Sequence, residues 1–206
     1  MRSTLAEELF LVALVPQPGE RRLVSRQAAT HALVGAVLLD LESVGRIEIA
    51  DMRARSRPGS EAAPSTLHKQ ALSVVGAGFP EVDDLVWKLP WKIASPISWM
   101  TDELRTKGWI EIGRGGWFGW RRADHSTDLS PRAEIVAALQ DPHDVRTRRL
   151  ALLLDAVGGL RGIVGGARGW TTRLDLWLDE DAAARTVVGA VRAVHLRLSS
   201  GALLKR

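Results

Sequence analysis

Hydrophobic residues in this chain are grouped into helix-length segments that polar or glycine-rich stretches separate. Thr4 and Glu7 have the spacing of a capping box, and the apolar run Leu9–Val15 follows them, which predicts a first helix. A second helix is predicted from Ser25, a good N-cap residue, to about Val44. Because this second segment is apolar on nearly all sides, we expect its helix to be central and buried.

A helix–glycine–strand pattern occurs twice, as LESVGRIEI at 41–49 and as LRTKGWIEI at 104–112. Gly45 and Gly108 can adopt the left-handed conformation that ends a helix. After each glycine, isoleucine and glutamate alternate, which predicts a short strand with one apolar face. The pattern is typical of a winged helix that reads DNA, and equally of a simple packing unit.

The remaining pattern predicts further helices and a few irregular segments. A short strand is predicted at 21–24, a loop or hairpin tip at 51–64, an irregular segment at 76–95, a glycine-rich connection at 158–169, and helices at 64–75, 96–107, 131–140, 145–157 and 182–198. The predicted fold is mainly α: a single globular domain over 1–206, with a helical bundle around the central apolar helix and small peripheral β-hairpins.

A second hairpin is predicted at 109–122, where the glycine-rich turn GRGG joins two strands. Its second strand carries Trp117, Phe118 and Trp120. Neighbouring residues of a strand face opposite sides, so one buried face cannot cover both Trp117 and Phe118. We therefore expect an exposed apolar surface here. A hairpin folded onto its own core is the alternative.

Composition narrows the function classes. The net charge is +4 and there is no cysteine, so an anionic partner is permitted and a disulfide framework is excluded. No apolar run reaches the ~18 residues that span a bilayer. Glu7 and Glu8 precede the first apolar run, unlike the start of a signal peptide. We expect a soluble, cytoplasmic protein.

No catalytic constellation emerges from the sequence. The glycine-rich segment lacks a phosphate-loop motif, and the five histidines are scattered without metal-ligand spacing. Asp124, His125 and Ser126 are consecutive, whereas a catalytic triad needs convergent side chains. The carboxylates of Asp179–Asp181 are interpreted as the N-terminal charges of a helix. We expect a protein that is not an enzyme and has no metal or cofactor.

The order of these segments resembles the Golgi phosphoprotein 3 family across essentially the whole chain. The resemblance lies in TLAEELFLVAL (4–14), LLDLESVGRIEI (38–49), PSTLHKQAL (64–72), LRTKGWIEI (104–112) and DPHDVRTRRLALLLDAVG (141–158). The arginine-rich composition is similar to that of a bacterial, actinobacterial member. The resemblance implies a helical, non-catalytic, peripheral membrane protein that binds phosphatidylinositol 4-phosphate and acts as an adaptor for glycosyltransferases.

The family's headgroup pocket uses one tryptophan and three basic residues. At the matching positions this chain has Ser25, Val34, Ala94 and Ile97. Three residues of the expected types lie close by in the sequence: Arg26, Trp91 and Lys92. These seven residues are the candidate headgroup region.

The family's apolar hairpin, which contacts membrane or a second subunit, matches 109–122. The candidate contact residues there are Arg114, Trp117, Phe118, Trp120, Arg121 and Arg122. Tryptophan beside arginine suits an anionic membrane surface. The expected partner is an anionic membrane lipid, phosphoinositides included, at the inner face of the membrane.

Two alternatives stay open. The same hairpin could serve a protein–protein adaptor or a homo-oligomer. A winged-helix DNA binder is disfavoured, because the second predicted helix is too apolar to read DNA and the helix at 96–107 carries Asp102 and Glu103 beside its two cations.

Overall fold

The computed structural model describes residues 3–16, 21–58, 63–78, 81–93, 95–112, 120–122, 131–138, 144–165 and 169–200. The helices are α1 (Leu5–Leu14), α2 (Arg26–Ser43), α3 (Thr66–Gly76), α4 (Val82–Lys92), α5 (Pro96–Thr106), α6 (Pro131–Ala138), α7 (Val145–Ala156), α8 (Arg161–Val164), α9 (Trp170–Glu180) and α10 (Ala182–Ser199). The strands are β1 (Ile47–Ala50), β2 (Arg53–Ser56), β3 (Ile110–Ile112) and β4 (Trp120–Arg122). The predicted mainly α fold is confirmed.

Helix α2 forms the centre of the fold, as predicted. It begins where the Ser25 hydroxyl accepts a hydrogen bond from the Ala28 N–H at 3.2 Å. It packs against α1, α4, α7 and α10 and is buried over most of its length. Gly35 lets the helices approach closely, because a Cβ there would lie 2.9 Å from Val191 and 3.0 Å from Leu153.

Both predicted helix–glycine–strand units form, and each leads into a two-stranded antiparallel hairpin. Gly45 and Gly108 have positive φ angles of 68° and 70°, as the pattern predicts. The first hairpin pairs β1 with β2 around Asp51 and Met52, both of which also have positive φ. The second pairs β3 with β4.

Two predictions about local structure were wrong, one was incomplete, and one helix was missed. Residues 21–24 do not form a strand, although the Leu23 N–H donates to the Ala13 carbonyl at 3.2 Å. Segment 51–64 is more than a loop, because it contains β2. Most of segment 76–95 is helix α4, despite Pro90, and α9 was not predicted at all. Both missed helices bury apolar residues that recur at helical spacing, such as Val82, Leu85, Val86 and Leu89 in α4, so their amphipathic pattern was present in the sequence.

The glycine-rich connection is tightly packed where it is described. A Cβ on Gly159 would lie 2.7 Å from Val24, and one on Gly162 would lie 2.7 Å from Leu23. These glycines therefore serve close packing against the segment that leads into α2, and the short helix α8 ends just before Gly165.

Two buried carboxylates fix the first turn of α1. Glu7, which also completes the capping box with Thr4, accepts a hydrogen bond from the Lys107 ammonium. Glu8 pairs with Arg146 at 2.9 Å. Lys107 is the C-cap of α5 and lies two residues before Trp109, so its pair with Glu7 ties the base of the second hairpin to α1.

Candidate functional site

A cavity of about 210 Å³ lies where the start of α2 faces the end of α4 and the start of α5. We call it the α2/α4/α5 cavity. Its lining residues are Arg26, Gln27, Thr30, His31, Pro90, Trp91, Ser95, Pro96 and Ile97. None of these described lining residues is acidic, so an anion that enters meets no carboxylate there.

The ends of three helices surround this cavity. Ser25 begins α2, and Ser95 begins α5 with a left-handed backbone at φ 46°. The Ser95 hydroxyl accepts a hydrogen bond from the Ser98 N–H at 3.3 Å. Pro96 follows as the first helical residue, where a missing N–H costs nothing. Three helix ends are thereby held around one opening.

Arg26 supplies a permanent positive charge to the cavity. It is the first residue of α2 and is half-buried. A guanidinium group can bind a phosphate or carboxylate through two parallel hydrogen bonds. Thr30 lines the same wall, and its hydroxyl donates to the Arg26 carbonyl at 2.9 Å. Among the described lining residues, Arg26 alone has a permanent positive charge, so it is the residue best suited to bind an anion here.

His31 forms the inner wall and is held in a fixed orientation. Its Nδ1–H donates to the Val86 carbonyl at 3.0 Å, and its ring stacks on Trp87 with centroids 5.9 Å apart and an interplanar angle of 4°. Burial lowers the pKa of His31; the Val86 carbonyl opposes this effect and His195 adds to it. At neutral pH the imidazole is therefore uncharged and carries its proton on Nδ1.

Pro90 explains why the Val86 carbonyl is free to accept this bond. Residue 90 lies four positions after Val86 in α4, and a proline has no N–H to donate to that carbonyl. His31 provides the missing donor from α2. Pro90 and His31 therefore act together: the proline leaves the Val86 carbonyl without a helical donor, and the histidine supplies one. The sequence alone did not reveal this pairing.

Trp91 lies at the rim of the cavity. Its side chain is 79% exposed, which is unusual for so large an apolar residue. The exposed Lys92 follows it at the end of α4. An indole beside a cation is the combination found at membrane–water interfaces.

The structure brings together only some of the residues proposed for the headgroup region. Arg26, Trp91 and Ile97 line the cavity, and Lys92 follows Trp91 in the sequence. Ser25 instead caps α2. Val34 is 1% exposed inside the core and cannot contact a headgroup. Ala94 lies outside the described residues.

The second hairpin is described only at its base. The backbone of Trp120, Arg121 and Arg122 pairs with β3 in the register Ile110–Arg122, Glu111–Arg121 and Ile112–Trp120. The Lys107 ammonium lies 5.3 Å from the centre of the Trp109 ring. The proposed contact residues Arg114, Trp117 and Phe118 lie outside the described residues, as do Asp124, His125 and Ser126.

A larger groove of about 520 Å³ lies between α7, α9 and α10, and ion pairs cross it. Arg149 donates to Asp181 at 2.7 Å and to Glu42 at 2.9 Å, and Arg148 donates to Glu180 at 2.6 Å. Asp181, one of the carboxylates assigned to a helix N-terminus, caps α10, whereas Asp179 and Glu180 lie in the last turn of α9. These contacts hold α2, α7 and α10 together, so the charged groups at this groove have structural partners.

Sequence reasoning also missed a buried serine–histidine–aspartate chain. The Ser65 hydroxyl lies 2.8 Å from His68 Nδ1, and His68 Nε2 lies 3.1 Å from an Asp40 oxygen. Asp40 in turn accepts hydrogen bonds from the Leu5 and Ala6 N–H groups at the start of α1. The i, i+3 spacing of Ser65 and His68 is a weak local signal, but nothing local points to Asp40.

This serine–histidine–aspartate hydrogen-bond network has a structural role. His68 is completely buried, and its three polar residues line neither the α2/α4/α5 cavity nor the groove at α7, α9 and α10. Its role is to satisfy the free N–H groups at the start of α1 from a neighbouring helix.

Two further observations concern other classes of site. Within the described part of the chain, no group of three or more potential ligand side chains could hold a metal ion. No helix among the same residues is both long and apolar enough to cross a bilayer.

A family model described as Golgi phosphoprotein 3 (GPP34) matches residues 5–194. The matched segment includes every residue that lines the α2/α4/α5 cavity. A search of the curated proteins finds no significant match.

Proposed function

Since the chain belongs to the Golgi phosphoprotein 3 family, we propose that it is a non-catalytic peripheral membrane protein that binds anionic lipid headgroups in the α2/α4/α5 cavity. The family resemblance implies a headgroup of the phosphatidylinositol 4-phosphate type. The cavity residues Arg26 and Trp91 are the proposed contacts.

The observation that carries this proposal is the exposed Trp91 at the rim of a cavity that contains Arg26 and no described carboxylate. A solvated indole is costly for a soluble protein, and insertion into the interfacial region of a bilayer removes its apolar area from water. Arg26 and Lys92 then face the negative surface potential of anionic lipids, which contributes about 1 kcal/mol per cation.

The cavity differs from the family's pocket in its charge. Arg26 is the one permanent cation among the described lining residues, whereas the family pocket has three basic residues. A phosphate held by a single arginine fork gains about 1.5–3 kcal/mol per charged hydrogen bond, which is too little for tight binding alone. We therefore propose that headgroup binding and insertion of Trp91 act together.

Vesicle cosedimentation of the full chain tests the proposal. The wild type should bind phosphatidylcholine vesicles that contain phosphatidylglycerol, and should bind vesicles of phosphatidylcholine alone much more weakly. Trp91→Ala and Arg26→Gln should each weaken binding by about 1–2 kcal/mol, roughly tenfold. Vesicles with phosphatidylinositol 4-phosphate, compared at equal surface charge, test the finer assignment of the lipid.

Leu176→Ala is the matched control. Leu176 is 56% exposed on α9, which contributes no residue to the α2/α4/α5 cavity. This variant removes a comparable exposed apolar side chain and should bind vesicles as the wild type does. Two results would contradict the proposal: equal binding to vesicles with and without anionic lipid, or wild-type affinity for anionic vesicles in both Trp91→Ala and Arg26→Gln.

A further inference from the structure

His31 is a second recognition group within the α2/α4/α5 cavity. Among the described residues that line the cavity, Arg26 and His31 are the two whose side chains can carry positive charge. His31 is only 5% exposed, so its charge state depends on what occupies the cavity. A ligand would displace the little water that reaches the ring.

The orientation of the ring leaves one nitrogen for a ligand. Nδ1 is committed to the Val86 carbonyl, which Pro90 leaves without its helical donor. Stacking on Trp87 fixes the plane of the ring. Among the hydrogen bonds between described residues, Nε2 makes none, and it is the nitrogen that can gain a proton.

We infer that His31 takes up a proton from solvent at Nε2 when an anionic headgroup enters the cavity, so that Arg26 and the imidazolium hold the headgroup together. This inference rests on the function proposed above. The new bond is Nε2–H, the proton comes from water or buffer, and no other bond changes.

The surroundings of His31 explain why the proton is absent before the headgroup binds. Arg26 lines the same cavity from α2, His195 lies on α10, and α4 contributes the uncharged Trp87 and the Val86 carbonyl. Burial and His195 both keep the pKa of His31 below its usual value. No described residue that lines the cavity carries a negative charge that could compensate, whereas an anionic headgroup does.

An anion at hydrogen-bond distance reverses this balance. It stabilises the imidazolium directly, and because the His31 ring is only 5% exposed, the attraction is stronger than in bulk solvent. The pKa of His31 must therefore rise on binding. By linkage, the affinity for the anion must increase as the pH falls through the interval between the free and the bound pKa values.

The expected pH dependence has a definite sign and limit. Uptake of one proton changes the binding constant by up to about tenfold per pH unit inside that interval, and by nothing outside it. A phosphate monoester loses negative charge below about pH 6, which weakens binding. Phosphatidylglycerol avoids this opposing effect, since its phosphodiester keeps one charge throughout the range.

Vesicle binding measured from about pH 8 to about pH 5 tests the inference. The full chain should bind phosphatidylglycerol-containing vesicles progressively more tightly as the pH falls. His31→Gln should lose most of this dependence, since its amide can still donate to the Val86 carbonyl but cannot gain charge. His195→Gln removes a histidine outside the cavity and should keep the dependence but shift it to higher pH, because His195 contributes to lowering the pKa of His31.

Two results overturn the inference while the proposed function stands: anionic-vesicle binding by the wild type that does not change with pH, or His31→Gln binding with the full wild-type dependence. A wild type that binds no anionic vesicle at any pH overturns the proposed function itself.

A second measurement needs no variant. In the wild type, the titration of the His31 ring followed by NMR should shift to higher pH when inorganic phosphate is added. An unchanged His31 titration under saturating phosphate overturns the inference, even if His31→Gln fails to fold. Competition between phosphate and vesicles then shows whether free phosphate and the lipid headgroup share the cavity.

Discussion

Two carboxylates at the starts of helices form ion pairs with cations of other helices. Glu7 at the start of α1 meets Lys107 at the end of α5, and Asp181 at the start of α10 meets Arg149 of α7. Each carboxylate also caps its own helix. Because a lone buried charge is costly, each pair constrains the relative position of two helices.

The pH dependence of one such pair follows from its surroundings. Burial opposes ionisation of Asp181, but hydrogen bonds from Arg149 and the Ala184 N–H, together with the charges of Arg149 and Arg148, outweigh it and lower the pKa of Asp181. A carboxyl group with a depressed folded pKa stabilises the fold above its unfolded pKa of about 3.9. That contribution is lost as the pH falls through the folded pKa.

Substitution of Asp181 separates its charge from its capping role. Asparagine caps helices as well as aspartate does, so Asp181→Asn keeps the cap but removes the charge and one acceptor for Arg149, and should lower the free energy of unfolding at pH 7 by about 1–2 kcal/mol. Asp181→Ala should cost roughly 1 kcal/mol more, because the cap is lost as well. Chemical denaturation measures both.

The pH series provides the control for this prediction. The difference between the wild type and Asp181→Asn should shrink as the pH falls below about 4, where the carboxyl of the unfolded chain takes up a proton, and should vanish below the lowered folded pKa. A difference that is independent of pH would show that the charge of Asp181 contributes nothing.

At the scale of elements, one glycine sets how closely the central helices pack. Gly35 lies in the middle of α2, where glycine is intrinsically unfavourable, yet side chains of α7 and α10 occupy the space that a Cβ would need. Gly189, in the middle of α10, is exposed, and a Cβ added there would have nothing within 4 Å. The two positions therefore form a matched pair.

Alanine at these positions should act in opposite directions. Gly35→Ala should destabilise the protein by about 1–3 kcal/mol, because Val191 and Leu153 must move. Gly189→Ala should stabilise it by about 0.5–1 kcal/mol through helix propensity alone. Thermal unfolding of the two variants checks both signs. Stabilisation by Gly35→Ala would mean that α2 is packed less tightly than the structure shows.

The helix ends also determine the candidate site. The N-caps Ser25 and Ser95 fix where α2 and α5 begin, and Pro90 fixes the last turn of α4. Each of these signals is local. Their meeting around one cavity is not local, because it depends on how α4 and α5 pack against α2.

At the scale of the whole molecule, two surfaces are proposed to meet the membrane. One is the rim of the α2/α4/α5 cavity with Trp91, and the other is the tip of the second hairpin, predicted from sequence. The base of that hairpin is tied to α1 through Lys107 and Glu7. A membrane-bound hairpin would therefore be connected to the core and not only to its own strands.

The hairpin's part in membrane binding can be measured separately from that of the cavity. Trp117→Ala combined with Trp120→Ala should weaken binding to phosphatidylglycerol-containing vesicles by about tenfold, since two interfacial indoles are lost. Adding Trp91→Ala should weaken binding further if the two surfaces contact the membrane together.

Light scattering at several protein concentrations tests the alternative use of the hairpin. A mass that rises with concentration, and falls to that of one chain in the Trp117→Ala and Trp120→Ala double variant, would favour an oligomer contact. Vesicle binding that the double variant retains in full would contradict the membrane role of the hairpin.

The sequence by itself determined much of the local structure. The capping box at Thr4, the apolar α2 and the two glycines that end helices all depend on neighbours within a few residues, and all of them form as predicted. Such signals can be read from sequence because backbone capping and periodicity are short-range effects.

Helices α4 and α9 could also have been predicted, because their buried residues recur at helical spacing, as Val82, Leu85, Val86 and Leu89 do in α4. Tertiary structure alone decided the rest. Residues far apart in sequence make up the cavity: His31 reaches Val86, which Pro90 leaves without a donor, and Trp91 is exposed beside Arg26. A hydrogen bond or a charge pair between distant residues depends on how helices pack, and this chain's local pattern does not contain that information.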